Sequence, residues 1–206
     1  MAKKVIGIGG SPRKGGNSDI LLKQILKGAR IGGAATEEIQ LRDYDFQSCI
    51  GCERCRKAAQ CTGLLDGMQL LYPKIRQAGG MVMVSPIHTY NMTAIMKSFI
   101  DRLYCLYYFS EERPGYWVSQ LTNQGRKALI AAVGEQADRE EGGMGLTLET
   151  MRRSVVALGY DLTGEMPVLG IFPKGKIREL PDILEQAEYL GKELALRLNE
   201  NPTWEF

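Results

Sequence analysis

The sequence predicts an α/β protein in three layers, with a five-stranded parallel sheet covered by helices on both faces. The first observation is a set of strand-length runs, Val5 to Ile8, Met81 to Ser85 and Ala128 to Val133, without the polar alternation of a half-exposed sheet. The second is that segments with apolar residues at helical spacing separate them, which implies right-handed crossovers and parallel pairing. The third is size. With 206 residues, 44% of them apolar, the chain can bury one substantial core, and no linker divides it, so residues 1–206 are expected to form one domain.

The first strand, Lys3 to Gly9, runs into Gly10-Ser11-Pro12-Arg13-Lys14-Gly15-Gly16-Asn17-Ser18, a glycine-rich turn. A helix then starts near Asn17, its stripe formed by Leu22, Leu26 and Ala29 with Leu21 and Ile25 alongside. Free amides at that helix start, the positive end of its dipole, the Arg13 charge and donors on Ser11, Asn17 and Ser18 suit a phosphate. A dinucleotide fingerprint needs glycine where Pro12 stands, and a P-loop needs Lys-Ser/Thr where Gly16-Asn17 stand, so both are excluded. A turn used only for packing is the alternative, but it leaves Arg13 and the polar cluster unexplained.

Gly32-Gly33 ends this helix, and Thr36 to Leu41 is a less apolar strand suited to a sheet edge. Residues 42–63 have no period. Asp66-Gly67-Met68-Gln69 opens a helix bearing Met68, Leu71, Ile75 and Ala78, with Gly79-Gly80 as its stop. After the third strand, Pro86 to Met92 is expected as a loop, and Ile95, Met96, Phe99, Ile100 and Leu103 mark a helix capped by Asn91 or Thr93. Tyr104 to Trp117 holds six of the sixteen aromatic residues, an insert expected to be an interface or a lid, with core filling as the alternative. The fourth strand is Ala128 to Val133, followed by a helix carrying Leu148, Met151, Val155 and Leu158. A last strand lies within 160–172, its limits obscured by Pro167 and two glycines, and Ile183, Ala187, Leu190, Leu194 and Leu198 mark the final helix. The strand order 2-1-3-4-5 would bring the phosphate turn, Pro86 to Met92 and Gly134 to Gly143 together at the carboxyl edge, where such sheets bind ligands.

A formal charge of +2 with no basic cluster argues against nucleic-acid and membrane-surface partners. No signal peptide follows Met1-Ala2-Lys3-Lys4 and no run is long enough to span a bilayer, so a cytoplasmic protein is expected. In a reducing compartment its five cysteines are better explained as metal ligands or redox groups than as disulfides.

The turn from Gly10 to Ser18 resembles the Gly-Ser-Pro-Arg-Lys-x-Gly-Asn-Thr/Ser loop of flavodoxin-like NAD(P)H-dependent FMN reductases, and Ser85-Pro86-Ile87-His88-Thr89-Tyr90-Asn91-Met92-Thr93 with Lys97 to Arg102 is similar to their flavin-wall segments. The resemblance covers most of residues 3–160 and implies a flavodoxin-like fold. It places the FMN phosphate on Ser11, Arg13, Asn17 and Ser18 and the ring near Pro86, Ile87, His88, Tyr90, Asn91, Met92 and Gly134. His88 stands where tyrosine is common in the family. It is the only histidine, and it reads equally as an exposed loop residue or a group tuning the flavin, while Tyr90 reads equally as a plain wall residue. No triad is legible, and the flavin would carry the chemistry, so no catalytic residue is named.

Cys49, Cys52, Cys55 and Cys61 have the spacing C-x2-C-x2-C-x5-C, which suits one cuboidal cluster better than the separated pairs of zinc knuckles. Redox-active or free thiols and zinc remain the alternatives, and Cys105 reads as a small buried hydrophobe. The segment resembles the compact motif of iron-sulfur flavoproteins, which implies a [4Fe-4S] cluster exchanging electrons with FMN. A cluster-free reductase using NAD(P)H, or a non-enzymatic redox sensor, is the alternative function. Donor and acceptor would be small molecules or proteins, and a homodimer or homotetramer is expected.

Overall fold

The computed structural model describes residues 3–112 and 115–198, so Met1, Ala2, two residues of the aromatic insert and the last eight residues lie outside it. Its elements in order are β1 (Lys4–Gly9), α1 (Asn17–Ile31), β2 (Ala35–Gln40), α2 (Cys55–Ala58), α3 (Met68–Gln77), β3 (Gly80–His88), β4 (Asn91–Met92), α4 (Ala94–Arg102), β5 (Tyr107–Phe109), β6 (Trp117–Ser119), β7 (Lys127–Val133), α5 (Met144–Ala157), β8 (Asp161–Val168) and α6 (Pro181–Arg197). The main sheet runs β2-β1-β3-β7-β8, all parallel, which is the expected 2-1-3-4-5 order. No helix among the described residues is long and apolar enough to cross a membrane.

Alternate residues of each central strand enter opposite cores. Ile6, Ile8, Met81, Met83, Ala128 and Ile130 pack beneath α3, α4 and α5. Val5, Val82, Val84, Leu129 and Ala131 meet α1 and α6. Neither face is left to solvent, which is why these strands carry no polar alternation. On the α1–α6 side a Cβ on Gly28 would fall 1.9 Å from the Glu188 carbonyl oxygen, and one on Gly191 would fall 1.9 Å from that of Ile25. The two helices therefore approach backbone to backbone.

Three local expectations are corrected, at residues 86–92, at Gly79-Gly80 and in the cysteine segment. Pro86 to Met92 is not a loop: β3 continues to His88, turns through Thr89 (φ 46°) and Tyr90 (φ 67°), and pairs antiparallel with β4. Two successive positive φ angles give the two-residue turn that matches strand twist, although neither residue is glycine. Gly79-Gly80 does not stop α3, which ends at Gln77, and Gly80 already pairs with Val5 and Lys127. The cysteine segment contains one helical turn, α2, and the aromatic insert contains the antiparallel β5–β6 hairpin. The last strand, β8, forms the second sheet edge with a register shift opposite Ala128/Leu129, and that edge accommodates Pro167, which has no N–H to donate.

Candidate functional site

At the carboxyl edge, beside the β1–β3 switch in strand order, the turn after β1 reaches the start of α1. Gly16 precedes that helix with extended backbone and no side-chain cap. Among the described residues no acceptor in the chain takes the N–H groups of Gly16, Asn17 or Ser18, so the first turn of α1 keeps donors for an external anion. Ser11, Arg13, Asn17, Ser18, Pro86, Ile87 and His88 line one cavity here. Ile87 also lines an adjoining cavity with Tyr90 and Gly134, and His88 lines a third with Asn91 and Met92. All eleven residues singled out for the flavin thus border three cavities that share lining residues.

Their side chains are not all free to bind. The Asn17 Nδ2 donates to the Pro173 carbonyl at 3.0 Å, and its Oδ1 accepts from the Ile177 N–H at 3.2 Å. Asn17 is therefore occupied in tying the segment after β8 to α1, and what it can offer an anion is its backbone N–H. The Ser11 Oγ accepts from the Arg13 N–H at 3.2 Å, which shapes the turn. Met92 is buried in the main core.

Sequence reasoning missed four residues, Asp19, Arg42, Phe172 and Lys174. Asp19 accepts from the Gly15 N–H at 2.7 Å and meets the Arg42 guanidinium at 2.9 and 2.8 Å. Arg42 also donates to the Ser11 carbonyl at 2.9 Å, so the pair clamps the glycine turn from below and neutralises the carboxylate near the anion site. Phe172 and Lys174 come from the segment after β8 and line the same cavity, with Arg13 5.5 Å from the Phe172 ring centroid. Their signal was position: residues after the last strand emerge at the same sheet edge as the other ligand loops.

Cys49, Cys52, Cys55 and Cys61 line a second cavity of 320 Å³ with Asp101, Arg102 and Cys105. The loop leaves β2 at the carboxyl edge, then runs back along α4, with Ser48 Oγ 2.8 Å from Ser98 Oγ. The flavin-side cavities touch α4 at Ala94 and Lys97 and the cysteine cavity touches it at Asp101 and Arg102, so the nearest of these residues are about one helical turn, roughly 6 Å, apart along the axis. Cys49 and Cys52 are exposed, Cys55 and Cys61 half-buried, and Cys105 buried as expected. A Cβ on Gly63 would lie 2.5 Å from the Cys52 sulfur, so the loop needs glycine to close over that thiol.

Arg102 organises this cavity. It donates to Asp66 at 2.6 and 3.0 Å, to the Gln47 carbonyl at 2.8 Å and to the Cys61 sulfur at 3.6 Å. Burial works to raise the Cys61 pKa, but hydrogen bonding with the backbone at Leu64 and Gly63, together with Arg102, outweighs it and leaves the thiol below its ordinary value. At Cys55 burial, with the neighbouring Cys105, Cys61 and Cys49 thiols, outweighs a backbone hydrogen bond and pushes the thiol up to about 11.

Among the described residues no three His, Cys, Asp or Glu side chains converge on a point as the ligands of a single ion do. A cuboidal cluster has wider spacing, because each thiolate binds its own iron. Four thiols on one cavity fit that group in donor type and number.

The sequence pattern of the NADPH-dependent FMN reductase family matches residues 3–140. The chain belongs to that family. It is therefore a flavin-dependent oxidoreductase whose cofactor is FMN. An iron-sulfur flavoprotein of Methanocaldococcus jannaschii is 31% identical over 199 residues, covering 93% of this chain and 95% of that protein. An iron-sulfur flavoprotein of Archaeoglobus fulgidus is 34% identical over 48% of this chain and 45% of its own length. The fold is shared with an NAD(P)H:quinone oxidoreductase from Methanothermobacter marburgensis, with a TM-score of 0.68 at 19% identity over 94% of this chain and all of that one. It is also shared with an archaeal flavodoxin, with a TM-score of 0.56 at 12% identity over 96% of this chain and 99% of that one. In the first family member named, the match extends past β8, well beyond the part of the sequence where the resemblance was legible.

Proposed function

We propose that this protein is an iron-sulfur flavoprotein passing electrons between FMN at the carboxyl edge and a [4Fe-4S] cluster held by Cys49, Cys52, Cys55 and Cys61. The observation that carries the reading is that all four thiols line one cavity at the C-terminal end of α4, about one helical turn from the flavin-side cavities. The bound groups would supply the electron chemistry, two-electron exchange at the flavin and one-electron exchange at the cluster. The chain's own residues bind and orient. The amides of Gly16, Asn17 and Ser18 would receive the phosphate, with Ser11 and Ser18 at its side. Arg13 and Lys174 add charge, while Pro86, Ile87, His88, Tyr90, Asn91, Met92 and Gly134 border the ring. The thiolates of the four cysteines would hold the cluster, and Arg102 fixes the Cys61 side of that cavity.

The flavin half is tested by comparing FMN with riboflavin. Arg13→Ala is expected to weaken FMN about tenfold and leave riboflavin unchanged, since one charge-assisted contact to the phosphate is lost. Equal losses for both would show that Arg13 does not meet the phosphate. For the cluster half, protein prepared anaerobically should contain iron and sulfide, and Cys52→Ala should lose iron while keeping FMN. Protein that takes FMN, holds no iron after anaerobic reconstitution and oxidises NADPH would establish the second reading, a cluster-free reductase, which the family match itself supports.

A further inference from the structure

We propose that the open aromatic cleft between α4, α5 and the β5–β6 hairpin is a second small-molecule site, for a planar aromatic carboxylate. The cavity measures 560 Å³, within the roughly 300–1,000 Å³ typical of such sites. Its walls are rings in two pairs, one tilted by 32° and one crossed at 83°. Tyr104 and Phe109 lie 4.5 Å apart, and Tyr107 meets Trp117 edge-on at 5.0 Å. Flat faces and edges set this way receive another flat ring by stacking and edge contacts.

Charge decides the class of ligand. The charged residues lining the cavity are Arg56 and Arg153, and no carboxylate lines it among the described residues. Arg153 is already paired with Glu149 on the outer surface of α5. Arg56 is different. Its guanidinium lies 4.6 Å from the Phe109 ring centroid and donates to the Ser110 carbonyl at 2.8 Å and the Tyr104 hydroxyl at 3.4 Å. These partners are neutral, and among the described residues no carboxylate pairs with Arg56. A carboxylate can meet that charge while its ring enters the aromatic walls. A neutral hydrocarbon would leave the charge unused, and an aliphatic acid would leave the rings unused.

The site shares no lining residue with the flavin cavities. On α5 Met144 borders one of those and Arg153 borders this one, roughly 14 Å apart along the helix, and on α4 Lys97 and Ile100 border the two within one turn. Tyr104 forms a wall of both this cavity and the cysteine cavity, so the occupant would sit against the thiol loop. The inference requires neither FMN nor a cluster to be bound.

The test is calorimetric titration of the full chain, with and without FMN, using 2-naphthoate and its uncharged amide, 2-naphthamide. The acid is expected to bind about tenfold more tightly than the amide, with the advantage falling at higher salt. Arg56→Gln should abolish the difference while leaving amide binding in place, and Ala157→Trp, which fills the cavity, should prevent both from binding. Retained FMN absorbance shows that each variant is folded. Equal affinity of acid and amide, unaltered binding to Ala157→Trp, or no binding to protein that still holds FMN would overturn the proposal. So would sedimentation showing that Ala157→Trp breaks an oligomer apart, since the cavity would then belong to a subunit contact. A protein that fails to bind FMN yet binds naphthoate through Arg56 would remove the flavin reading and leave this one standing.

Discussion

Arg102 and Asp66 show how much one buried pair can decide. Arg102 is almost fully buried, and Asp66 receives both of its terminal nitrogens as well as the N–H groups of Gln47 and Met68. One carboxylate thus joins the cysteine loop, the start of α3 and the end of α4. Burial works to raise the Asp66 pKa, but the Arg102 bonds and the two amides more than offset it, and the net direction is down. A carboxyl group with a lowered folded-state pKa contributes stability above its unfolded value. That contribution is lost as pH falls through the folded one. Asp66→Asn is expected to cost about 3–5 kcal/mol in urea unfolding at neutral pH, because it strands a buried guanidinium, and to flatten the loss of stability below the ordinary carboxylate range. A variant as stable as the parent, with the same acid profile, would contradict this. Asp19 and Arg42 play the corresponding part under the phosphate turn, and Asp19→Ala is expected to loosen the turn and weaken FMN more than riboflavin.

At the scale of elements, α1 and α6 are joined by contact of backbones. Gly28 and Gly191 each face the other helix's carbonyl too closely for a methyl group. Gly28→Ala is therefore expected to push the helices apart and destabilise the fold by about 1–3 kcal/mol despite the better helix propensity of alanine. Urea denaturation measures this, and a stabilised variant would show that the close approach is dispensable. The β3–β4 hairpin is the opposite case. Thr89 and Tyr90 occupy backbone conformations that non-glycine residues enter at a cost, at the rim of the flavin-side cavities. Replacing both by Asn-Gly is expected to raise the unfolding midpoint, since that pair suits the turn, and an unchanged or lower midpoint would show no strain there.

Across the whole molecule the flavin side and the cysteine cavity draw on different parts of the fold. The flavin side is built from the ends of β1, β3, β7 and β8, whereas the cysteines stand on a loop at the edge of one core, where Cys55 and Cys61 pack against it and Arg102 and Gln69 bond to Cys61. A variant with Cys49, Cys52, Cys55 and Cys61 all changed to Ser is therefore expected to keep its FMN and an unfolding midpoint close to that of cluster-free wild type. Loss of FMN from that variant would show that the loop supports the flavin site rather than only adjoining it.

How much could be read beforehand follows from the range of the interactions involved. Periodicity and glycine placement act within one element, so Val5 to Ile8, the α1 stripe and the strand order could be inferred from residues a few positions apart. The glycine turn and the cysteine spacing were legible for the same reason. The clamp of Asp19 by Arg42, the diversion of the Asn17 side chain to Pro173 and Ile177, the place of Lys174 over the turn and the grip of Arg102 on Cys61 join residues separated by 23 to 160 positions. None of these leaves a local pattern. The hairpin at 86–92 escaped notice because Thr89-Tyr90 lacks the Asn and Gly that mark such turns. The sequence by itself determined the sheet, its order and which edge carries the ligand loops, because burial on both faces and chain connectivity admit few other arrangements. Only the tertiary structure decided which polar groups in those loops stay free for a ligand and which are spent holding the fold, because each such group has several candidate partners and packing selects one.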